Sequence, residues 1–361
     1  MLNWLLIFIP IAVYLEFSQG NAVWIFVASM LAILPLAGLM GRATEELAIR
    51  AGSAVGGLLN ATFGNATELI IAFFALKAGK LDVVKASITG SILGNILLVL
   101  GLAVFLGGLK HKTQVFNQKN AGILTSLLTL SVIGLLIPAV FDLASVNFAH
   151  VAQPADLDFK VSVAAAIVLI LIYLGNVYFS LVTHKDMLSP HDDEEHEAAT
   201  WSVPMAVGVL LASTVAVGFM SEFLVGSLEE ASHALGLSEF FVGIILIPII
   251  GNAAEHASAV MFALKNKMDL AVTIAVGSTI QVALLVAPLL VLLGLTVGQK
   301  MDLVMHNPLE LIAVAAGIVI ANSIARDGES NWLEGLMLLG VYVLLAFAFF
   351  YFPTVSAAAV H

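Results

Sequence analysis

The sequence predicts an all-α polytopic membrane protein of about eleven transmembrane helices. Three observations predict it. Hydrophobic residues make up 60% of the chain and charged residues 11%, with a mean hydropathy of +1.05; a soluble domain is about 25% charged. The apolar runs reach the roughly 20 residues that a helix needs to cross a bilayer. They are also continuous, whereas a membrane barrel would show alternating segments of about 10 residues.

In chain order the expected spans are 2–17, 22–40, 54–76, 83–107, 121–141, 161–183, 202–224, 239–264, 270–295, 308–325 and 332–352. The first lacks a basic leader and an obvious cleavage site and reads as a retained span. Between the sixth and seventh lies the one strongly polar stretch, residues 184–201, which holds Pro190 and the run Asp192-Asp193-Glu194-Glu195-His196-Glu197. It reads as a solvated linker. A cation-sensing role is the sharper reading, but the run lacks the alternating Asp and Gly grammar of an EF-hand loop.

Several function classes are excluded. The chain has no cysteine, so disulfides, thiolate metal sites and cysteine nucleophiles are out. A net charge of −11 offers no basic surface for nucleic acid. No His-Glu-x-x-His string of a zinc protease occurs, and the chain does not read as an enzyme.

Lys and Arg give an orientation. With the N-terminus and the even-numbered loops on one side, that side receives Arg42, Arg50, Lys110, Lys112, Lys119, Lys185, Lys265, Lys267 and Arg326. The other receives Lys77, Lys80, Lys85, Lys160 and Lys300. The excess makes the first side cytoplasmic. The expectation is a protein of the cell membrane with its N-terminus and acidic linker in the cytoplasm and its C-terminus outside.

The chain repeats itself internally. Gly64-Asn65-Ala66-Thr67-Glu68 matches Gly251-Asn252-Ala253-Ala254-Glu255, Phe74–Lys77 matches Phe262–Lys265, Asp82 matches Asp269, and Gly90-Ser91 matches Gly277-Ser278, all at an offset of 187 or 188 residues. This gives a peripheral first helix (1–20), a first five-helix repeat (21–183), the linker (184–201) and a second five-helix repeat (202–361). An odd number of spans per repeat forces the second to enter the membrane from the opposite side. In secondary transporters such inverted repeats place the substrate near the midplane, and access alternates as they move.

Glu68 and Glu255 lie inside apolar spans, where an ionised side chain costs about 2.5–3.5 kcal/mol even on lenient scales. Matched costs at matched positions argue for use. Asn65 with Glu68, and Asn252 with Glu255, share a helix face at i, i+3. Ser91 with Asn95 on the fourth span, and Ser278 with Gln281 on the ninth, complete the cage or hold its carboxylates. All donors are oxygens apart from the nearby His256, and two negative charges suit a hard divalent cation; calcium accepts 6–8 oxygens in a flexible geometry. Gly64, Gly251 and Pro248 are where the helices can loosen to expose backbone carbonyls. Burial disfavours the charged carboxylate and a bound cation favours it, so protons and metal compete for the same groups. His256 points away from Glu255 and is either a helper in proton uptake or a packed, hydrogen-bonded histidine. Glu45, Glu46 and Glu222, near span ends, read as snorkelling surface acids or vestibule carboxylates. Asn60 and Asn65 each open an Asn-Ala-Thr sequon, but within a span, so glycosylation is discounted.

At these residues the chain resembles the calcium/proton antiporters of the calcium/cation antiporter superfamily. The paired motifs Gly64–Glu68 and Gly251–His256, together with Ser91, Asn95, Ser278 and Gln281, carry the likeness, and it covers essentially the whole chain. The resemblance implies an ion site on Glu68 and Glu255 with Asn65 and Asn252 nearby, and proton-driven export of calcium from the cytoplasm. Calcium and protons are then cargo rather than cofactors, and the lipid bilayer is the third expected partner; a homo-oligomer is compatible with the sequence. Sodium/calcium exchangers share the repeat plan, but their second repeat usually carries an Asp near the position of Gln281. A sodium-coupled exchanger is the first alternative and a cation channel the second. The repeats also differ from each other, since Asn95 aligns with Val282 and Gln281 with Gly94.

Overall fold

The computed structural model describes residues 3–147, 154–183, 199–305 and 307–352. The chain folds into α1 (Phe8–Phe17, entered through a 3-10 turn at Asn3–Ile7), α2 (Ala22–Phe63), α3 (Ala66–Lys77), α4 (Leu81–Lys110), α5 (Gln118–Asn147), α6 (Asp156–Thr183), α7 (Val203–Leu235), α8 (Glu239–Gly251), α9 (Ala253–Leu264), α10 (Met268–Thr296), α11 (Pro308–Ala325) and α12 (Trp332–Tyr351). A two-residue ladder pairs β1 (Gln114–Val115) with β2 (Glu329–Ser330), antiparallel.

Among the described residues, eight helices are long and apolar enough to cross a membrane, and the bent pair α8 and α9 makes a ninth. The other two expected spans take different forms. The stretch 2–17 is a short apolar helix, and 54–76 is divided between the end of α2 and α3. The expected loop after residue 40 is absent. Helix α2 runs unbroken for 42 residues, about 63 Å at 1.5 Å per residue. The reason is local. Residues 41–53 are polar, which suggested a loop, but they are rich in Ala, Leu, Glu and Arg, all strong helix formers. Gly52, Gly56 and Gly57 do not interrupt it, and the helix ends at Phe63, before Gly64-Asn65.

The corresponding place in the second half does break. Gly236 ends α7 in a left-handed conformation (φ 68°), and the Ser238 hydroxyl accepts the Phe241 N–H to start α8. Most of the predicted linker, residues 184–198, lies outside the described residues.

Helices α4 and α10 form the centre; 72% and 67% of their apolar windows are buried, against 17% for α6 at the periphery. Exposed side chains such as Leu171, Leu174, Val319 and Leu344 form the apolar exterior that lipid tails require. The central helices carry π-helical turns at Gly94–Val99 and Val282–Val286, and α8 carries one at Val242–Leu246. Such turns concentrate at functional sites. Where α4 crosses α8, Gly90 faces the backbone of Ile244 so closely that an added Cβ would lie 2.0 Å from its carbonyl oxygen.

The helix ends fall into two sets. In one, Lys110 donates to the Leu264 carbonyl (3.0 Å), Gln114 to Ala263 (2.7 Å), the Asn117 N–H to Asp269 (2.7 Å) and Arg50 to Ala199 (3.3 Å). In the other, ion pairs join Lys80 to Glu229 and Glu239 (2.5 and 2.9 Å), Lys85 to Asp302 (2.6 Å), Lys300 to Asp156 (3.5 Å) and Lys77 to Glu222 (3.9 Å). Burial opposes the charge on Lys80, but its hydrogen bonds to the two glutamates outweigh that and raise its pKa.

Gly90→Ala is expected to destabilise the protein by about 1–3 kcal/mol, as overpacking of a closed interface does. Gly94→Ala, where nothing lies within 4 Å of the added Cβ, should not. Thermal unfolding in detergent, followed by tryptophan fluorescence, compares them; equal melting temperatures would contradict the close α4–α8 contact.

Candidate functional site

The two Gly-Asn-Ala-x-Glu motifs fall at two helix breaks. Asn65 is the residue before α3, and Asn252 the residue before α9, where the chain bends by 58°. The glutamate three residues on therefore sits in the first turn of each new helix, as Glu68 and Glu255. That position favours negative charge, since the helix N-terminus exposes unpaired N–H groups. Asparagine followed three residues later by glutamate is also capping-box spacing. Neither asparagine caps its own helix through its side chain. Both amides reach across to other helices instead.

The resulting network crosses between the halves of the chain. The Ser91 hydroxyl and the Asn252 amide both donate to one oxygen, Oε1, of Glu68. Asn252 also donates to the Pro248 carbonyl at 3.2 Å. On the other side, Ser278 Oγ donates to Asn65 Oδ1 at 2.9 Å, Asn95 Nδ2 donates to Ser278 Oγ at 3.0 Å, and Asn65 Nδ2 donates to Gln281 Oε1 at 2.5 Å. Glu255 lies beside Ser278, and the two glutamates are close enough to interact electrostatically. Gly251 makes the approach possible, because a Cβ there would lie 2.9 Å from Glu68 Cγ.

Every sequence-predicted site residue belongs to this cluster or borders it. Glu68, Asn65, Ser91, Asn95, Asn252 and Ser278 are buried, while Glu255, His256 and Gln281 are half-buried. Of the eleven buried side-chain polar atoms without a hydrogen-bond partner among the described residues, four gather here: Glu68 Oε2, Glu255 Oε2, Asn95 Oδ1 and His256 Nε2. Buried polar atoms are nearly always paired, and this concentration is what a ligand could meet. Three are oxygens suited to a hard cation. Among the described residues no group of three or more His, Asp or Glu side chains comes together to hold a metal. The donor set is two carboxylates supplemented by neutral amides and hydroxyls.

Two expectations are refined. Asn65 is bonded at both ends, donating to Gln281 and accepting from Ser278. The alternative of a hydrogen-bonded His256 is not met at Nε2. Glu46 is not a snorkelling surface acid; it is buried and accepts the Thr200 hydroxyl and the Trp201 N–H (2.9 Å). Glu45 and Glu222 are exposed, and Glu222 pairs with Lys77. One residue was passed over in the sequence. Glu310 is buried and accepts the Thr89 hydroxyl at 2.8 Å. At the start of a span it reads as an interfacial acid, but Asn307 three residues earlier repeats the spacing of both motifs.

Comparison with known proteins agrees with this plan. The family model described as sodium/calcium exchanger protein matches residues 21–182 and 205–351. The chain is similar to the Ca(2+)/H(+) antiporter of Aphanothece halophytica, 48% identical over 365 residues that cover 97% of this chain and 96% of that protein. It is 44% identical over 346 residues to the Ca(2+)/H(+) antiporter ChaA of Bacillus subtilis, covering 95% and 96%. The solved structure described as native YfkE superposes with a TM-score of 0.83 at 40% identity, covering 97% of this chain and 99% of that one.

Asn65 and Gln281 should couple energetically by about 0.5–3 kcal/mol, the range for residues sharing one buried network. A double-mutant cycle with Asn65→Ala and Gln281→Ala, read from denaturation, measures this; strictly additive effects would mean that the bond is not made.

Proposed function

The chain belongs to the sodium/calcium exchanger protein family, and from that premise we propose that it is a secondary antiporter exchanging cytoplasmic calcium for external protons. The observation that carries the reading is the meeting of Glu68 and Glu255 from two helix breaks in one buried network, each with an unshared carboxylate oxygen. The names borne by the relatives, Ca(2+)/H(+) antiporter, support protons rather than sodium as the counter-ion. The protein is an integral membrane protein and a transporter, not an enzyme.

Calcium is the cargo. Glu68 Oε2, Glu255 Oε2 and Asn95 Oδ1 supply its first ligands, with backbone carbonyls at the helix breaks completing the shell. Ser91 and Asn252 hold Glu68 in place, and Asn65, Gln281 and Ser278 hold the other side. The same groups carry protons. Glu255, beside Ser278 and facing Glu68, carries a proton when calcium is absent. Loss of that proton frees a carboxylate for calcium, and return of the proton releases the metal. His256, with its ring nitrogen unpaired, is placed to assist proton movement.

Two inverted repeats (21–183 and 202–361) exchanging conformations would expose the site to each side in turn. The two stretches matched by the family model support that division. We assign the side of Arg42 and Arg50 to the cytoplasm, which puts the Lys80 and Lys85 ion pairs outside.

Glu68→Gln and Glu255→Gln should each abolish exchange while leaving the protein folded and inserted, because the neutral side chain mimics a state the cycle already visits. Calcium uptake into membrane vesicles under an imposed pH gradient, without sodium, tests both the variants and the reading. Transport retained in both variants would sink the site, and flux driven only by a sodium gradient would sink the proton assignment. Calcium affinity should fall as pH falls, since protonation removes the ligand charge, by about tenfold per pH unit for each proton released on binding. Calcium titrations at several pH values read this directly, and a pH-independent affinity would uncouple the two ions.

A further inference from the structure

Four helices of this chain begin with asparagine at the cap and glutamate three residues later: Asn65/Glu68, Asn252/Glu255, Asn307/Glu310 and Asn331/Glu334. The spacing is that of a capping box, in which the glutamate turns back to the N–H of the cap residue. Only Glu334 does so, accepting the Asn331 N–H at 3.2 Å. Glu68, Glu255 and Glu310 instead meet a hydroxyl on another helix: Ser91, Ser278 and Thr89. Two of these three are the proposed ion-binding carboxylates. Glu310 shares their local sequence, their place in the helix and their mode of contact, yet it lies outside their network. Its cap does not need it, because Asn307 already accepts the Leu309 N–H at 2.9 Å.

The place of Glu310 in the fold gives it a different task. Thr89 lies on α4 between Lys85, one turn earlier, and Ser91, two residues later on another face. Helix α4 is thus clasped between two carboxylates, Glu68 through Ser91 and Glu310 through Thr89. Glu310 is 4% exposed, with Thr89 its one described hydrogen-bond donor. From α4 it also faces Lys85 and Asp82. The segment before α11 brings Asp302, ion-paired with Lys85. Asp142 and Asp158, from the ends of α5 and α6, interact with each other, and Asp158 also with Asp302 and Lys85; His306 lies outside the described residues. A neutral Glu310 fits this pocket. An ionised one would be a buried charge with a single neutral donor, drawn toward Lys85 and water. The partly exposed pair Lys85–Asp302 opens the pocket toward the side we assign as external.

Resting on the antiporter reading, we propose that Glu310 is a positioning residue that senses external pH, docking α4 against α11 when protonated and loosening it when ionised. The proton comes from external water and returns to it, so it is not among the protons transported. Because α4 carries Ser91 and Asn95, this contact sets how readily the ion site changes its access.

The test uses the full-length protein in everted membrane vesicles, where the external face lines the lumen. Exchange of labelled for unlabelled calcium, saturating on both faces so that no net proton flux is needed, is followed as lumenal pH is varied with bath pH fixed; proton-driven uptake and calcium affinity are measured separately. For wild type the rate should change about fivefold or more across the titration of one group. In Glu310→Gln, which mimics the protonated state, the change should shrink to less than about twofold while calcium affinity stays within about threefold of wild type. Glu310→Asp should restore a pH-dependent profile. Thr89→Val, which keeps the acid and removes its donor, should shift the midpoint of that profile; it serves as the second variant if Glu310→Gln fails to insert. Profiles superimposable on wild type in Glu310→Gln, or in Thr89→Val when that variant stands in, would overturn the inference. So would a loss of calcium affinity matching that of Glu68→Gln, which would make Glu310 part of the ion site. Absence of proton-driven uptake in wild type would instead overturn the antiporter reading itself.

Discussion

An ionised carboxylate inside a membrane-spanning bundle costs about 2.5–3.5 kcal/mol even on lenient scales, and this chain sets Glu68 and Glu255 among its apolar helices. The surrounding structure is organised around making that placement tolerable. Each glutamate sits in the first turn of a helix that restarts inside the protein, where unpaired N–H groups favour negative charge. Each meets a hydroxyl from a central helix, Ser91 or Ser278. Those helices must approach closely for this, and the glycines allow it: Gly251 lies against the Glu68 side chain, and Gly90 against the backbone of α8. Satisfaction stops one atom short on each carboxylate. Burying an unpaired acceptor costs about 1–3 kcal/mol, and here two carboxylates carry that cost side by side.

The two sides of the site are not equivalent. Asn95 and Gln281 both serve the Ser278 side, through Ser278 itself and through Asn65. Their aligned positions in the other half are Val282 and Gly94, so Ser91 meets only the Asn252 amide, at 3.5 Å. Glu68 is buried while Glu255 is half-buried. The unbroken α2 adds to the difference, because its counterpart region in the second half is divided by Gly236 and Ser238. In the proposed cycle these departures from symmetry distinguish the two carboxylates: one is held by two donors on a single oxygen, while the other shares a hydroxyl that is already engaged.

Interactions between the halves also differ by side. Where Lys80 and Lys85 lie, ion pairs join residues of the first half to residues of the second. At the opposite side, the bonds from Lys110, Gln114 and Arg50 end on main-chain carbonyls, and the β1–β2 ladder joins two loops. Ionic contacts respond to salt and pH, whereas main-chain hydrogen bonds are less sensitive to both.

The sequence by itself determined the membrane class, the helical content and the polar residues of the site. Hydropathy, helix length and the matched Gly-Asn-Ala-x-Glu motifs are local or periodic properties, and they are written in the chain directly. It also held the signal for Glu310, the Asn-x-x-Glu spacing it shares with both motifs, but at a span end that spacing is indistinguishable from an ordinary cap such as Asn331 and Glu334. Only the tertiary structure decided where each carboxylate turns. It decided that Asn65 reaches across to Gln281, that Glu46 is buried against Thr200 and Trp201, that α2 continues through a polar stretch, and that Glu310 crosses to Thr89. The physical reason is common to all four. A polar side chain in an apolar surrounding takes whichever partner the packing of distant segments brings within reach, and that partner is not specified by its neighbours in sequence.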